Sequence, residues 1–180
     1  WIAGIVTPPE EAAFLQRWGS VLTQDDEWAR YRRLSWSSAP AAARQAARLD
    51  ARHKAMTTPA AVLAQAKALR AADDLAGAAA LWKQQAPAAQ QAAPEHLAAF
   101  WSERSALIRM LLKQGQDQVA YDLAAAHGQT GSEQVADAEF LAGFIALRRL
   151  NRPALALGHF RTLAATSGAA ITQGRAHYWL

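Results

Sequence analysis

Alanine is the residue that most constrains the fold of this chain. It occurs 46 times in 180 residues, together with 20 leucines but only five valines and five isoleucines. Alanine and leucine favour helices, whereas the β-branched residues that favour strands are scarce. The composition therefore predicts an all-α protein and argues against a β-sandwich, a barrel or a parallel sheet. The length is enough for one domain with a sizeable core.

Helix start and stop signals divide the chain into short helices. In the first half, the predicted helices begin at Thr7-Pro8, Thr23-Gln24, Ser38-Ala39, Thr58-Pro59 and Asp73-Asp74. In the second half, they begin at Pro94, Asp117, Ser132, Pro153 and Ile171. The alanine-rich helix that starts at Ser38 is predicted to run through Leu49. Residues 84–94 are predicted to form a connector bounded by proline.

The second half of the sequence has a repeating arrangement of helices. A long helix, a tight turn and a shorter helix recur about every 35 to 40 residues, which is typical of helical repeats. Ala120 and Ala156 lie in two successive returning helices, and Phe140, Ala156 and Phe160 have the offsets of a degenerate tetratricopeptide unit. We interpret the chain as an irregular α-solenoid of helical hairpins, tetratricopeptide-like in its second half. It is predicted to be one α-superhelical domain over residues 1–180, with a softer subdivision into 1–93 and 94–180.

The positive charge of the chain is concentrated in one segment. The net charge is +4, but the segment from Arg30 to Lys54 holds seven basic residues and one acid. Arg44, Arg48 and Arg52 follow at four-residue steps and would share one face if the helix continued past Asp50. They are candidates for a surface that faces a polyanion or a glycan, and the alternative is a solvated helix face. No recognised nucleic-acid reading motif accompanies the charge, so we expect no nucleic-acid partner.

The sequence lacks the motifs of common catalytic and cofactor sites. It has no cysteine, and none of its five histidines has another histidine three or four residues away, so we expect no metal site. Phosphate-binding loops, dinucleotide fingerprints and Gly-x-Ser-x-Gly elbows are missing. Paired acids such as Asp25-Asp26 stand at predicted helix starts, where they cap helices. We therefore predict no catalytic, cofactor-binding or metal-ligating residue in this chain.

Hydropathy and the first residues bear on localisation. The longest stretch without a charged residue runs over the thirteen residues 162–174, which is shorter than the roughly 20 apolar residues of a membrane-spanning helix. The residues that follow Trp1 have neither the basic region nor the cleavage site of a signal peptide. We therefore expect no transmembrane segment, and we expect that the chain is a fragment of a longer protein.

Six collinear segments resemble the superhelical, non-catalytic region of soluble lytic murein transglycosylases. Asp137–Arg148 resembles the "AEWLAGWIALR" helix of that family, and Pro153–Phe160 resembles its "P-x-x-A-x-x-HF" helix. Gly174–Trp179 is similar to "RAxYWxGRA", Trp101–Arg104 to "WxER", Ala120–Gly128 to "AYxLAxxHG" and Ala29–Trp36 to "ARxDRLLW". Together the matches extend from about Phe14 to the last residue.

The resemblance implies both a fold and a function. In this family an α-superhelix forms a ring or horseshoe, and a lysozyme-like domain docked on it cleaves the β-1,4 bond between N-acetylmuramic acid and N-acetylglucosamine in peptidoglycan. The product is an anhydro-muramyl sugar, and one glutamate in a Glu-Ser dipeptide acts as acid and then as base. That dipeptide and the Gly-Leu-Met-Gln segment of the family are missing here, and Ser102-Glu103 has the reverse order. No catalytic residue is therefore carried over.

The resemblance leads to one expectation and leaves one alternative. We expect a scaffold region of a periplasmic enzyme, with weak contacts to peptidoglycan glycan strands and with the missing catalytic domain as its partner. The alternative is a tetratricopeptide-like adaptor that binds a protein segment in its concave groove. No cofactor is expected in either case.

Overall fold

The chain is all-α, as the composition predicts. A computed structural model describes residues 1–2, 4, 7–166 and 170–179, and these residues contain helices and turns but no β-strand. The chain divides into two compact units, Trp1–Val62 and Leu63–Leu180, which we call the first and the second unit. The subdivision predicted at residues 93 and 94 falls inside the second unit.

The first unit contains four helices and the beginning of a fifth. They are α1 (Pro8–Trp18), α2 (Gln24–Ser37), α3 (Ala39–Ala46), α4 (Ala51–Lys54) and α5 (Pro59–Ala71), which continues into the second unit. The start of α2 is fixed by a capping box: the Thr23 hydroxyl accepts from the Asp26 N–H at 3.2 Å, and the Asp26 carboxylate accepts from the Thr23 N–H at 2.9 Å. Such reciprocal caps satisfy N–H groups that have no partner within the helix.

The helix predicted to run from Ser38 through Leu49 is shorter than expected. It ends at Ala46, and a separate short helix, α4, begins at Ala51. The cause is Asp50, whose carboxylate accepts from the backbone N–H of His53 at 2.8 Å and so caps the start of α4. An aspartate that bonds to the backbone in this way competes with a continuous helix.

The second unit contains the longer helices. After α5 come α6 (Leu75–Gln84), α7 (Ala86–Ala92), α8 (Leu97–Lys113) and α9 (Asp117–Ala125), followed by α10 (Ser132–Arg148), α11 (Pro153–Thr166) and α12 (Ala170–Trp179). The connector predicted for residues 84–94 is wrong, because most of it forms α7. Pro87 lies in the first turn of α7, where proline is tolerated, and Ala86, Ala89 and Gln90 are buried. Tertiary burial therefore determines the structure of this segment.

Helices α8 to α11 each pack against the next helix in the chain. The predicted returning helices bury Ala120 at 0% and Ala156 at 1% exposure. Small residues allow the closest approach between α10 and α11, since a Cβ atom on Gly143 would lie 2.7 Å from Cε1 of Phe160. The solenoid and tetratricopeptide-like arrangement of these helices stays a prediction. Among the helices over the described residues, none has the length and apolarity needed to cross a membrane.

Candidate functional site

The three arginines proposed from the sequence do not lie on one continuous helix. Arg44 is on α3, Arg48 is in the turn after it, and Arg52 is on α4. Arg44 forms an ion pair with Glu11 at 3.3 Å, and Arg48 forms an ion pair with the buried carboxylate of Glu27. Arg52 is exposed. Two of the three candidate side chains are thus engaged by acids of the first unit, and the shared face that required a continuous helix is not formed.

Other basic residues of the same segment also make contacts within the first unit. Arg30 is 1% exposed, and its Nη1 donates to the carbonyl oxygens of Trp1 at 2.5 Å and of Gly4 at 2.9 Å. Its guanidinium carbon lies 3.9 Å from the centre of the Trp1 ring, a cation–π contact. Burial lowers the pKa of Arg30. The segment from Arg30 to Lys54 therefore uses much of its charge to hold the first unit together.

A buried histidine in the first unit lies between two carboxylates. His53 is 3% exposed, and its Nδ1 lies 2.8 Å from Asp50 Oδ1 while its Nε2 lies 3.1 Å from Asp25 Oδ1. The hydrogen bond to Asp50, followed by the one to Asp25, raises the pKa of His53. With an acceptor at both ring nitrogens, the doubly protonated imidazolium satisfies both contacts. The arrangement links the end of the basic segment to the start of α2.

The second unit contains a polar network that no sequence motif predicts. Tyr121 Oη lies 3.1 Å from His159 Nε2, and His159 Nδ1 lies 2.6 Å from Glu139 Oε2. The other carboxylate oxygen of Glu139 lies 3.4 Å from His127 Nε2. We call these four residues the histidine–glutamate network. It joins α9, the turn after α9, α10 and α11.

The hydrogen bonds around His127 define its tautomer. The backbone N–H of Gln129 donates to His127 Nδ1 at 2.9 Å, so this nitrogen carries no proton and Nε2–H faces Glu139. Burial lowers the pKa of His127, while the hydrogen bond to Glu139 acts in the opposite direction. A neutral imidazole at this position is consistent with both observations.

The order of Tyr121, His159 and Glu139 has the connectivity of a nucleophile, base and carboxylate. Burial raises the pKa of Tyr121, however, and a nucleophile is activated by the opposite change. Among the described residues, no group of three or more His, Cys, Asp or Glu side chains is arranged to hold a metal ion. The hydrogen bonds of the network connect α9, α10 and α11.

A buried arginine forms a second centre in the second unit. Arg104 on α8 is 2% exposed, and its Nη2 donates to Gln90 Oε1 at 2.9 Å while its Nη1 donates to the carbonyl of Ala126. Gln90 in turn donates to the carbonyl of His127 at 3.0 Å. The following residue, Gly128, has a φ of +64°, a conformation that glycine adopts without strain. Arg104 and Gln90 thus hold the turn that carries His127.

The sequence predicts neither the histidine–glutamate network nor the contacts of Arg104 with Gln90, because the residues of each lie far apart in the chain. Tyr121 and His159 are 38 residues apart, and His159 and Glu139 are 20 residues apart. The available signal was that Tyr121 follows Ala120 and His159 lies near Ala156, two small residues that repeat in the returning helices. That repeat indicated equivalent helix faces, but it did not indicate which polar side chains would meet.

Comparison with known proteins identifies no relative of this chain. No family model matches it, and no curated protein or solved structure matches it.

Proposed function

We propose that this chain is a superhelical, non-catalytic scaffold region of a periplasmic lytic transglycosylase. In such an enzyme a separate catalytic domain cleaves the β-1,4 bond between N-acetylmuramic acid and N-acetylglucosamine in peptidoglycan. The scaffold would hold that domain and guide glycan strands towards it. An irregular α-solenoid, tetratricopeptide-like over α8 to α12, is part of this proposal.

The observation that supports the proposal is the meeting of separate motif segments in the second unit. The segments that resemble the family are separate in the sequence, yet their residues contact one another. Arg104, from the "WxER" segment, donates to the carbonyl of Ala126 in the "AYxLAxxHG" segment. His127 of that segment contacts Glu139 of the "AEWLAGWIALR" segment, and Glu139 contacts His159 of the "P-x-x-A-x-x-HF" segment. These contacts support the proposal because the residues that carry the resemblance are also residues that join the helices.

The apolar residues of the same segments also pack together. Phe160, from the "HF" segment, lies against Gly143 of the preceding segment. Its ring stacks on Trp179 of the last segment, with ring centres 5.8 Å apart. Phe160 belongs to a hydrophobic core cluster of the second unit, and Trp179 packs against that cluster. The resembling positions therefore hold helices together, which suits a scaffold better than a catalytic role.

Contacts to glycan strands would use basic side chains that the first unit leaves exposed. Of the three candidate arginines, Arg52 is exposed, whereas Arg44 and Arg48 are ion-paired. A glycan surface on the first unit would therefore depend on Arg52. Charge reversal of Arg52 should weaken binding of the chain to purified sacculi, whereas reversal at the exposed Lys67 serves as the control. Equal binding of both variants would remove this surface from the proposal.

The experiment that tests the main proposal compares the chain with its complete reading frame. The frame that continues after residue 180 should encode a lysozyme-like domain with a Glu-Ser dipeptide. The complete product should release anhydro-muropeptides from purified sacculi, and the 180-residue chain should release none. Release by the chain alone would show that catalysis lies within it. A complete frame without the domain, whose product binds one protein segment and no sacculi, would favour the adaptor.

A further inference from the structure

The turn between α9 and α10, residues 126–131, forms part of the wall of a cleft in the second unit. The cleft has a volume of about 290 Å³, and its lining includes Gly128 and Thr130 of the turn together with Pro87 of α7 and Leu97 of α8. The residues of the turn lie outside any helix, so their N–H and C=O groups need partners other than a helix ladder. The conformation of the turn therefore depends on a few individual hydrogen bonds.

One of these hydrogen bonds is made by the ring of His127. This side chain is 13% exposed, and its ring lies at 76° to that of Trp101, with ring centres 6.4 Å apart. His127 Nδ1 accepts from the backbone N–H of Gln129, two residues further on, at 2.9 Å. Gln129 is buried, so water cannot readily replace this bond. The imidazole nitrogen is thus the acceptor that closes the turn.

Only the neutral imidazole can make this hydrogen bond. A protonated imidazole carries an N–H group at both nitrogens and has no acceptor left. A proton on His127 Nδ1 would face the N–H of Gln129, and neither donor would be satisfied. Protonation of His127 and closure of the turn therefore exclude each other.

The charged groups around His127 act on its protonation in opposite directions. Glu139 on α10, whose carboxylate lies 3.4 Å from Nε2, favours the protonated ring. Arg104 on α8 and His159 on α11 oppose it, and burial, the largest effect, opposes it as well, so the pKa of His127 is lowered. Glu139 is also shared with His159, whose Nδ1 lies 2.6 Å from it. At neutral pH the ring is therefore neutral and the turn is closed.

We propose that His127 is an acid-sensitive switch that opens the turn between α9 and α10. When the pH falls, His127 takes up a proton, the N–H of Gln129 loses its acceptor and the turn opens. Because Gly128 and Thr130 belong to the wall of the cleft, opening changes the shape of the cleft. The bond from Gln90 to the carbonyl of His127, at 3.0 Å, does not titrate and keeps the start of the turn attached. This inference does not depend on the proposed scaffold function, because it rests only on the hydrogen bonds of the turn.

Hydrogen exchange of the ¹⁵N-labelled chain, followed by NMR, tests the switch without any substitution. The protection of the Gln129 amide, corrected for the intrinsic exchange rate at each pH, should fall by up to about tenfold for each pH unit below 6.5, the limit for one proton taken up on opening. The imidazole resonances of His127 should titrate over the same range. The amide of Ile145, in the buried part of α10, should stay more strongly protected than that of Gln129 throughout, because the turn opens without the helices.

Two substitutions separate the switch from a general effect of acid. His127→Asn keeps an acceptor that does not titrate, because an asparagine side chain can bond to the backbone N–H two residues on, so it should abolish the pH dependence at Gln129. His177→Asn, the same change at an exposed position of α12, should leave that dependence as it is in the unsubstituted chain.

Four results would overturn the proposal. They are constant protection of Gln129 while His127 titrates, equal protection of Gln129 and Ile145, an unchanged pH dependence in His127→Asn, and loss of the pH dependence in His177→Asn. The first two are measured on the unsubstituted chain, so they decide the question even if His127→Asn does not fold.

Discussion

The close contact between α10 and α11 gives a sharp test of the packing argument. In Gly143→Ala, the new Cβ would lie 2.7, 2.9 and 3.1 Å from Cε1, Cζ and Cδ1 of Phe160. The Phe160 ring cannot easily move away, because it is 1% exposed and stacks on Trp179. Either the ring or the helix must shift, and overpacking of this kind costs about 1–3 kcal/mol.

The same substitution also has a favourable effect that must be separated from the packing cost. Alanine in place of glycine inside a helix stabilises it by about 1 kcal/mol. The net change for Gly143→Ala is therefore a destabilisation of about 0–2 kcal/mol. Gly158→Ala, on α11 in the same unit, is the matched control, because nothing lies within 4 Å of its added Cβ. It should stabilise the unit by about 1 kcal/mol.

The difference between the two variants isolates the packing cost, because the helix-propensity and unfolded-chain effects largely cancel. We expect Gly158→Ala to be about 1–3 kcal/mol more stable than Gly143→Ala. Urea unfolding followed by far-ultraviolet circular dichroism measures this difference, provided that the slope with urea is unchanged. Equal stabilisation by both substitutions would mean that α10 and α11 do not approach as closely as described.

Three further predictions concern charged groups. The hydrogen bond to Asp50 raises the pKa of His53, so protonated His53 stabilises the folded chain. This stabilisation should be complete when the pH is below the unfolded pKa of about 6.5, and it should be lost as the pH rises through the raised pKa of the folded state. An NMR titration of the imidazole and urea unfolding of His53→Gln check this. Burial lowers the pKa of His127, so His127 takes up a proton at a higher pH in the unfolded chain, at about pH 6.5, than in the folded one. Lowering the pH below 6.5 should therefore destabilise the second unit, and His127→Gln should reduce this loss of stability. Glu103→Gln should cost about 1–3 kcal/mol in urea unfolding, since the buried carboxylate accepts from Arg70 at 2.5 and 3.1 Å; an unchanged midpoint would contradict the described ion pair.

The helices with strong local signals could be predicted from the sequence. Helix α11 begins at Pro153 as predicted, because proline at the first position of a helix is a local feature. The turn before it depends on Asn151, whose φ of +53° is a conformation that asparagine tolerates. Local chemistry was sufficient at such places.

Prediction failed where contacts distant in sequence determine the local structure. Residues 84–94 were predicted to be a connector because they combine glutamine and proline, yet α7 forms there. Gln90 explains the difference, since it is buried and contacts both Arg104 and the carbonyl of His127. A helical pattern of apolar residues cannot report a buried glutamine whose partners come from other helices.

The basic segment shows the same limit for charge. Counted alone, the segment from Arg30 to Lys54 has a net charge of +6, but residues 1–62 carry eight Lys and Arg and six Asp and Glu, a net charge of +2. The compensating acids Glu11 and Glu27 precede the segment and meet Arg44 and Arg48 only after folding. A count over a window of sequence therefore overstates the charge that the folded surface offers to a polyanion.

The arginines of this chain differ in whether a carboxylate of the fold compensates their charge. Arg44, Arg48 and Arg70 each face a carboxylate of the fold, so their charge needs no external partner. Arg104 is more deeply buried than these three, yet its contacts are neutral oxygens and a tryptophan ring. Buried cations without a counter-charge are costly, and this one lines an open cleft. Arg30 has the same kind of contacts, two carbonyl oxygens and a tryptophan ring, so such contacts do not by themselves mark a binding site.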